Sequence, residues 1–210
     1  MYSNIIRYSY KNHTKSMNEY VFCRRIQEEL NGWVNNSPYS GKPLFLHGIG
    51  GCGKSSVSQT ISKELVDSDF HISTFDFSSG KSSELLTEIE KRVYESKLFH
   101  GNEHFSSIVI LDEFHNINKK QQDSFKQVLL EEICESVGYR CIVICNTSSK
   151  YDYEQVIHQP IRSRCFEVSF HMNEEEHIEV CNRFSEKYPN LDYDLIYETV
   201  PDVRKLQHYL

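Results

Sequence analysis

The chain has 210 residues, enough for one substantial α/β domain and a small appendage. With 39% hydrophobic and 25% charged residues it has the composition of a globular protein, and no apolar run approaches the roughly 20 residues that a membrane span requires. The net charge of −7, of which the nine acidic and four basic residues of 171–210 contribute −5, excludes a generally basic nucleic-acid-binding surface.

The N-terminal segment predicts a polar arm followed by a helix. Residues 1–18 contain three basic residues and no acidic one, which suits a lead-in or a phosphate-contacting arm. Ser16-Met-Asn-Glu19 matches a capping box, and an apolar stripe of helical spacing follows it, formed by Val21, Phe22, Ile26, Leu30 and Trp33. We expect Trp33 to pack in the core. Residues 35–41 contain turn-forming residues and predict a loop, so that residues 1–34 form an arm and helix.

Residues 48–55, Gly-Ile-Gly-Gly-Cys-Gly-Lys-Ser, fill every fixed position of the phosphate-loop pattern G-x-x-x-x-G-K-S. The apolar run 43–47 precedes them and a helical pattern follows, as the pattern requires. Backbone N–H groups of such a turn point into one concavity, and the helix N-terminus adds partial positive charge. We therefore expect ATP to bind along Gly48, Gly50, Gly51, Cys52, Gly53, Lys54, Ser55 and Ser56. Lys54 would reach the β- and γ-phosphates, and the Ser55 hydroxyl would hold Mg²⁺.

The middle of the chain alternates strands with helices, which predicts a parallel, doubly wound sheet. Continuous apolar runs at 107–112 and 141–146 are typical of strands buried on both faces. Further strands are predicted at 70–77 and 165–170, and helices at 82–95 and 117–135. With the strand before the phosphate loop this makes a five-stranded parallel sheet flanked by helices, and residues 35–170 form the predicted ATPase core.

Polar side chains end two of these strands. Asp112 and Glu113 follow a buried strand, where the first carboxylate would support Mg²⁺ through water and the second would polarise an attacking water. Asn146 ends the next strand and would face the γ-phosphate if the strands are adjacent. Taken alone, Asn146 is better explained as a turn-forming residue at the start of Asn146-Thr-Ser-Ser149.

Two arginines complete the predicted site. Arg164 begins the fifth strand, where it is poorly placed for its own nucleotide and well placed for that of a neighbouring subunit. Arg204 opens the last predicted helix, over 202–210, and would contact the γ-phosphate from a small helical lid formed by residues 171–210. A second capping box at 173–176 begins the first lid helix.

Cysteine usage indicates a reducing environment. The seven cysteines form no C-x-x-C pair, and the N-terminus lacks the apolar region of a signal peptide. We expect an intracellular protein of the cytoplasm, the nucleus or a virus-infected cell, neither secreted nor membrane-bound. Cys52 lies inside the phosphate loop, where a positive environment could lower the pKa of its thiol.

These motifs together resemble the AAA+ ATPases, and within them the clamp-loader subunits. The residues that carry the resemblance are 48–55, 109–114, 144–150, 161–165 and 201–205. Asn146 followed by Ser163-Arg-Cys165 is similar to the small subunits of replication factor C, and Pro201-Asp-Val-Arg-Lys205 is similar to the large subunit of T4-type phage clamp loaders.

The resemblance implies a set of roles. Asn146 would be sensor 1, Arg204 sensor 2, Glu113 the catalytic carboxylate and Arg164 an arginine finger given in trans. It implies ATP and Mg²⁺ as ligands, and other clamp-loader subunits, a sliding clamp and primer-template DNA as partners. His115 departs from the family pattern, no residue is assigned to the adenine, and the helical collar that normally follows sensor 2 is absent from this sequence.

Two other functions fit the same motifs. An AAA+ helicase loader shares the fold, because fold does not fix function. A non-catalytic ATP-binding scaffold would bind nucleotide without turnover. A two-domain helicase, suggested superficially by Asp112-Glu113-Phe114-His115, needs a second ATPase-like core that 210 residues do not supply.

Overall fold

The computed structural model of the protein describes the backbone of residues 16–40, 42–66, 68–79, 82–99, 107–127, 139–206 and 209. Five strands alternate with helices, namely β1 Leu44–Gly48, β2 Ile72–Asp76, β3 Ser107–Asp112, β4 Tyr139–Asn146 and β5 Phe166–Ser169. The α-helices are α1 Arg24–Ser40, α2 Lys54–Leu65, α3 Ser82–Phe99, α4 Lys119–Gln127, α5 Lys150–Val156, α6 Gln159–Arg162, α7 Glu174–Lys187 and α8 Tyr193–Thr199. No helix among the described residues combines the length and the apolar character needed to cross a membrane.

All five strands are parallel, in the order β2-β3-β4-β1-β5. The predicted five-stranded parallel sheet is therefore confirmed. Strand β4 lies between β1 and β3, so that the ends of the strands carrying the phosphate loop, Asn146 and Asp112 meet at one edge. The carboxyl edge of a doubly wound sheet is where such folds bind ligands.

Both faces of the sheet are buried, which explains the continuous apolar strands. Side chains alternate between the faces along each strand. Leu44 and Leu46 of β1 face a core shared with α1, α2, α7 and α8, while Phe45 faces a second core shared with α3, α4 and α5. The predicted packing role of Trp33 is confirmed, because it is 3% exposed and its indole N–H donates to the carbonyl of Lys42 at 3.0 Å.

Helix α1 differs from the prediction at both ends. The capping box at Ser16–Glu19 is present but caps a single 3-10 turn, and α1 begins only at Arg24. At the other end the predicted loop over 35–41 is wrong, because α1 continues through Ser40. Adding residues to a helix that already exists costs little, so the local turn preference was overridden.

The C-terminal residues also depart from the predicted helix over 202–210. Within the described part, Val203–Leu206 form turns with backbone bonds from Lys205 to Asp202 and from Leu206 to Val203. In place of the predicted helix over 117–135, α4 begins at Lys119, after a 3-10 turn over Phe114–Asn116. It is described as far as Gln127, and the rest of the predicted helix lies outside the described residues.

Two arginines join the C-terminal helices to α1. Arg25 contacts Glu176 at 2.6 Å and donates to the carbonyls of Ser169 and His171, at the passage from β5 to α7. Arg183 of α7 donates to the carbonyl of Phe22 at 2.8 Å. The lid helices therefore lie against the segment that precedes the phosphate loop.

Candidate functional site

The phosphate loop joins β1 to α2 through a glycine-rich turn. Gly51 and Gly53 have φ angles of +86° and +95°, which residues with a side chain adopt only with strain. Gly53 is the N-cap of α2, so the loop ends where the first N–H groups of that helix point outward. The local backbone is therefore a glycine-rich turn leading into a helix N-terminus, as the pattern predicts.

Lys54 lies in the concavity of this loop. Its side chain is 3% exposed, and its Nζ donates to the carbonyls of Gly48 at 2.9 Å and Ile49 at 2.7 Å. A buried ammonium requires such partners. Phosphate oxygens are stronger acceptors than carbonyls, so the same cation is placed to bind an anion that enters the loop.

Ser55 and Asp112, the two predicted Mg²⁺ ligands, are in contact. The Ser55 side chain is hydrogen-bonded to the carboxylate of Asp112, whose Oδ1 also accepts from the backbone N–H of Glu113 at 2.9 Å. Burial raises the pKa of Asp112, and the hydrogen bond from Ser55 opposes that effect. A hydroxyl beside a partly desolvated carboxylate is a donor set that suits Mg²⁺, which would neutralise charge on the phosphates when bound.

Glu113 and Asn146 meet at the same edge. The Nδ2 of Asn146 donates to Oε1 of Glu113 at 2.8 Å, while Oε2 of Glu113 lies 3.3 Å from Nε2 of His115. The backbone of Glu113 has φ of +58°, a left-handed conformation that costs about 1 kcal/mol or more in a residue other than glycine. The structure thus brings together the two residues predicted to handle the attacking water.

Arg204 reaches the phosphate loop from the C-terminal segment. A Cβ added to Gly50 would lie 3.2 Å from Nη2 of Arg204, and one added to Gly51 would lie 2.8 Å from its Nε. Asp202 contacts the same guanidinium at 3.3 Å. The predicted proximity of Arg204 to the nucleotide site holds, although turns rather than a helix carry it.

Arg164 lies near the amino-terminal ends of the strands, whereas the phosphate loop follows the carboxyl end of β1. It precedes β5 by two residues, and the first residue of β5, Phe166, is in register with Leu44 at the start of β1. The phosphate loop begins at the other end of β1, about 13 Å away along the strand. Arg164 is exposed and donates to the carbonyl of Pro160 at 2.9 Å. Arg164 is the predicted site residue that lies far from the phosphate loop of the same chain.

The pKa of the Cys52 thiol differs from the prediction. Its thiol is 6% exposed and lies 3.5 Å from Nζ of Lys54. Burial raises the pKa of this thiol, and the neighbouring ammonium only partly offsets the rise. The suggestion that its environment lowers the pKa is therefore wrong, because desolvation of the thiolate outweighs the attraction to Lys54. Ser56, the last predicted phosphate-binding residue, is exposed at the start of α2.

An apolar pocket borders the phosphate loop and was missed from the sequence. It is formed by residues before α1, by the loop itself and by the C-terminal segment, among them Val21, Phe22, Cys52, Phe170, Val200 and Pro201. The sequence pattern placed Val21 and Phe22 in a helical stripe, whereas they lie in the non-helical segment before α1, and the Phe22 ring is close to Gly53 of the loop. The cavity volume of the pocket is only about 20 Å³, so it is a small apolar depression beside the loop and does not hold a nucleotide base as it stands.

Residues 44–173 match the family described as "ATPase family associated with various cellular activities (AAA)". This span covers more than half of the chain and contains the phosphate loop, Asp112, Asn146 and Arg164. The chain belongs to the AAA family. No curated protein is similar enough to the sequence to count as a relative.

Solved structures with the same fold as this AAA domain include the replication initiator DnaA bound to AMPPCP and single-stranded DNA, with TM-score 0.58 and 14% identity over 95% of this chain and 64% of that one. DnaA from Aquifex aeolicus bound to AMPPCP gives the same values. A single-substitution variant of RuvB from Thermotoga maritima gives TM-score 0.52 and 15% identity over 87% of this chain. The match spans 57% of that RuvB chain, so these likenesses concern the fold.

Two further residues were not predicted at the site. Asp202 lies against Gly51, and His115 contacts both Glu113 and Asn146. From the sequence, His115 was a departure from the family pattern and the last residue of a superficial helicase motif, with no role at the site. No signal in a single sequence places Asp202 on the loop, because the contact depends on how the C-terminal segment folds back.

Proposed function

We propose that this AAA domain is an ATP-hydrolysing subunit of a DNA sliding-clamp loader, and that each of its sites is completed by an arginine from the adjacent subunit. ATP would bind with Mg²⁺ in the phosphate loop, with its phosphates between Lys54 and Arg204. Glu113 would polarise the attacking water. The clamp-loader role, with DNA and a sliding clamp as partners, is proposed from the resemblance of the sequence motifs.

One observation carries the shared-site proposal. Arg164 lies at the opposite end of the strands from the phosphate loop of its own chain. Its side chain is exposed and donates to the backbone carbonyl of Pro160. Its guanidinium is therefore available to a neighbour. Positive charge supplied in trans to the transferring phosphoryl group accelerates related reactions by about 10³–10⁵.

The clamp-loader role is supported by sequence motifs outside the phosphate loop. Ser163-Arg-Cys165 and Pro201-Asp-Val-Arg-Lys205 are the segments that resemble clamp-loader subunits, and both are in the described part of the chain. The replication initiator DnaA, which has this fold, was solved bound to single-stranded DNA. A role on DNA for the present chain is consistent with that likeness in fold.

The residues present favour hydrolysis over a non-catalytic scaffold. A scaffold does not need a water-polarising carboxylate, yet Glu113 and Asn146 are hydrogen-bonded to each other beside the contacting pair Ser55 and Asp112. A helicase loader remains the alternative, since it would use the same nucleotide site. The two replication roles differ in partner: a ring-shaped clamp in one case and a helicase in the other.

The test is co-purification of the tagged chain from its native source, followed by ATP turnover assays with the recovered partners. A clamp loader predicts recovery of a sliding clamp and turnover that rises when the clamp and primer-template DNA are added together. Recovery of a helicase, with turnover that responds to it and not to a clamp, would favour the helicase loader. Tight ATP binding without turnover in any assembly would favour the scaffold.

A further inference from the structure

We propose that His115 is a positioning residue that holds the carboxylate of Glu113 in a resting orientation and links it to the end of strand β4. The proposal rests on the proposed ATPase function and goes beyond the residues that the family resemblance assigns. It is drawn from three contacts that join Glu113, His115 and Asn146.

Both carboxylate oxygens of Glu113 have a polar partner. Oε1 accepts a hydrogen bond from Nδ2 of Asn146 at 2.8 Å, and Oε2 lies 3.3 Å from Nε2 of His115. The backbone N–H of Asn146 donates to Nδ1 of His115 at 3.2 Å. Because Nδ1 accepts, the proton of the neutral imidazole is on Nε2, the nitrogen that faces Glu113. One ring therefore contacts the strand end with one nitrogen and the carboxylate with the other.

The backbone around His115 fixes this arrangement. His115 lies in the 3-10 turn that begins directly after Glu113, and the N–H of Asn116 donates to the carbonyl of Glu113 at 3.0 Å. Phe114 is fully buried, with its ring edge-on to the rings of Phe45, Phe77 and Phe125. The turn is thus anchored in the core, so His115 has little freedom to move away from Glu113.

The bond between Asn146 and Glu113 occupies the groups that an attacking water would need. These two residues are expected to orient that water, yet here the amide of one is bonded to the carboxylate of the other. A water can be held between them only when this bond opens. The contact from His115 to Oε2 stabilises the closed arrangement, and so lowers the rate of hydrolysis before a partner or neighbour rearranges the end of β4.

The test compares the wild-type chain with His115→Ala and His115→Gln. We measure single-turnover hydrolysis of ATP with Mg²⁺, the ATP dissociation constant by calorimetry, and amide hydrogen exchange at Asn146. His115→Ala should raise the unstimulated rate about three- to tenfold, the range expected when one ordinary polar contact is lost. The dissociation constant should stay the same, and the Asn146 amide should exchange faster.

His115→Gln supplies the matched variant, because its amide can donate to Glu113 and accept from Asn146. It should return the rate towards that of the wild type, which a purely structural role of the ring would not do. Glu113→Gln should abolish hydrolysis whether position 115 holds His, Ala or Gln.

Two results would overturn the proposal. One is a rate in His115→Ala equal to or below that of the wild type at an unchanged dissociation constant. The other is an Asn146 amide that exchanges no faster after the substitution. Failure of the proposed function is separate, since it would appear in the wild-type chain as absent ATP binding, with Lys54→Ala as the reference for lost binding, or as binding without turnover in any assembly.

Discussion

The carboxylate of Asp202 lies directly against the backbone of Gly51. A Cβ built on Gly51 would lie 1.7 Å from Oδ1 of Asp202, far inside van der Waals contact. The absence of a side chain at Gly51 therefore allows the C-terminal segment to seat Asp202 and Arg204 on the phosphate loop. A conformational requirement acts at the same residue, because its φ is +86°.

Gly51→Ala should weaken ATP binding strongly, since the added methyl group strains the loop and displaces the segment that carries Arg204. We expect at least a tenfold rise in the dissociation constant measured by calorimetry, equivalent to about 1.4 kcal/mol. Gly32→Ala is the matched control, because a Cβ there meets nothing within 4 Å in helix α1. That variant should bind ATP normally and be more stable by about 0.5–1 kcal/mol. Equal ATP affinity in Gly51→Ala would contradict the proposed packing.

Arg204→Ala should reduce the affinity for ATP more than that for ADP. The guanidinium lies over Gly50 and Gly51, and its expected partner is the terminal phosphate, which ADP lacks. Loss of one charge-assisted hydrogen bond, about 1.5–3 kcal/mol, predicts a tenfold or greater fall in the ratio of the two affinities. Lys205→Ala, an exposed cation next in sequence, is the control that should leave this ratio unchanged. A proportional loss for both nucleotides would assign Arg204 a role in lid packing instead.

His47→Phe should remove part of the loss of stability in acid. His47 is 1% exposed and stacks on Tyr153 with ring centroids 3.8 Å apart. Burial, with a smaller effect of the neighbouring His171, lowers its pKa from 6.5 to about 3. Between these values the unfolded chain binds a proton that the folded chain does not, so this group lowers stability as the pH falls through that window. Urea unfolding at pH 7 and pH 4.5 should show a smaller difference in the variant. The same difference as in the wild type would refute the assignment.

Arg25→Met should destabilise the junction of α1 and the lid, whereas Arg24→Met should not. Arg25 bonds two backbone carbonyls and Glu176, and leaving these acceptors without a donor costs about 2 kcal/mol. Arg24 makes an exposed contact with Glu28 in the same helix, and such pairs contribute little. Urea unfolding of both variants at pH 7 tests the contrast, which equal destabilisation would contradict.

The Arg25 contact also has a predicted pH dependence. Its hydrogen bond lowers the pKa of Glu176 below the usual value of 4.5. A carboxylate with a lowered pKa stabilises the fold above its unfolded pKa and loses this effect as the pH falls through the folded one. The stability difference between the wild type and Arg25→Met should therefore be full at pH 7 and smaller at pH 3. A difference that grows in acid would reverse the sign expected.

The sheet and the phosphate loop could be predicted from the sequence because their signals are local. Apolar runs such as 107–112 specify strands buried on both faces, and the glycines and Lys54 define the loop by spacing alone. Asn146 could be placed at the site only on the condition that β4 is adjacent, which the strand order satisfies.

The rest depended on contacts between segments distant in the chain. The pocket combines Phe22 with Val200, nearly the whole chain apart, and no periodic pattern links them. The pKa of Cys52 was misjudged because its position in the loop indicates a nearby cation but not the depth of burial. Likewise, a loop was predicted over 35–41 because those residues favour turns, but α1 continues through Ser40.

Arg164→Ala should leave the folded chain and its ATP affinity unchanged, because the side chain is exposed and its hydrogen bond goes to the carbonyl of Pro160. Hydrolysis by the assembly should fall about 10³–10⁵-fold. Arg162→Ala is the neighbouring control: its guanidinium lies 5.8 Å from the ring centroid of Tyr153, so its loss should lower stability instead. Unchanged turnover in the Arg164 variant would remove the basis for a shared site.

The most direct measurement mixes two inactive variants, Lys54→Ala and Arg164→Ala, and follows ATP turnover. If an active site takes its loop from one chain and its arginine from the next, mixed assemblies contain sites with Lys54 on one side and Arg164 on the other. The account predicts that the mixture regains turnover, highest near equal amounts, while neither variant alone is active. A mixture as inactive as its components, in assemblies shown to contain both variants, would contradict it.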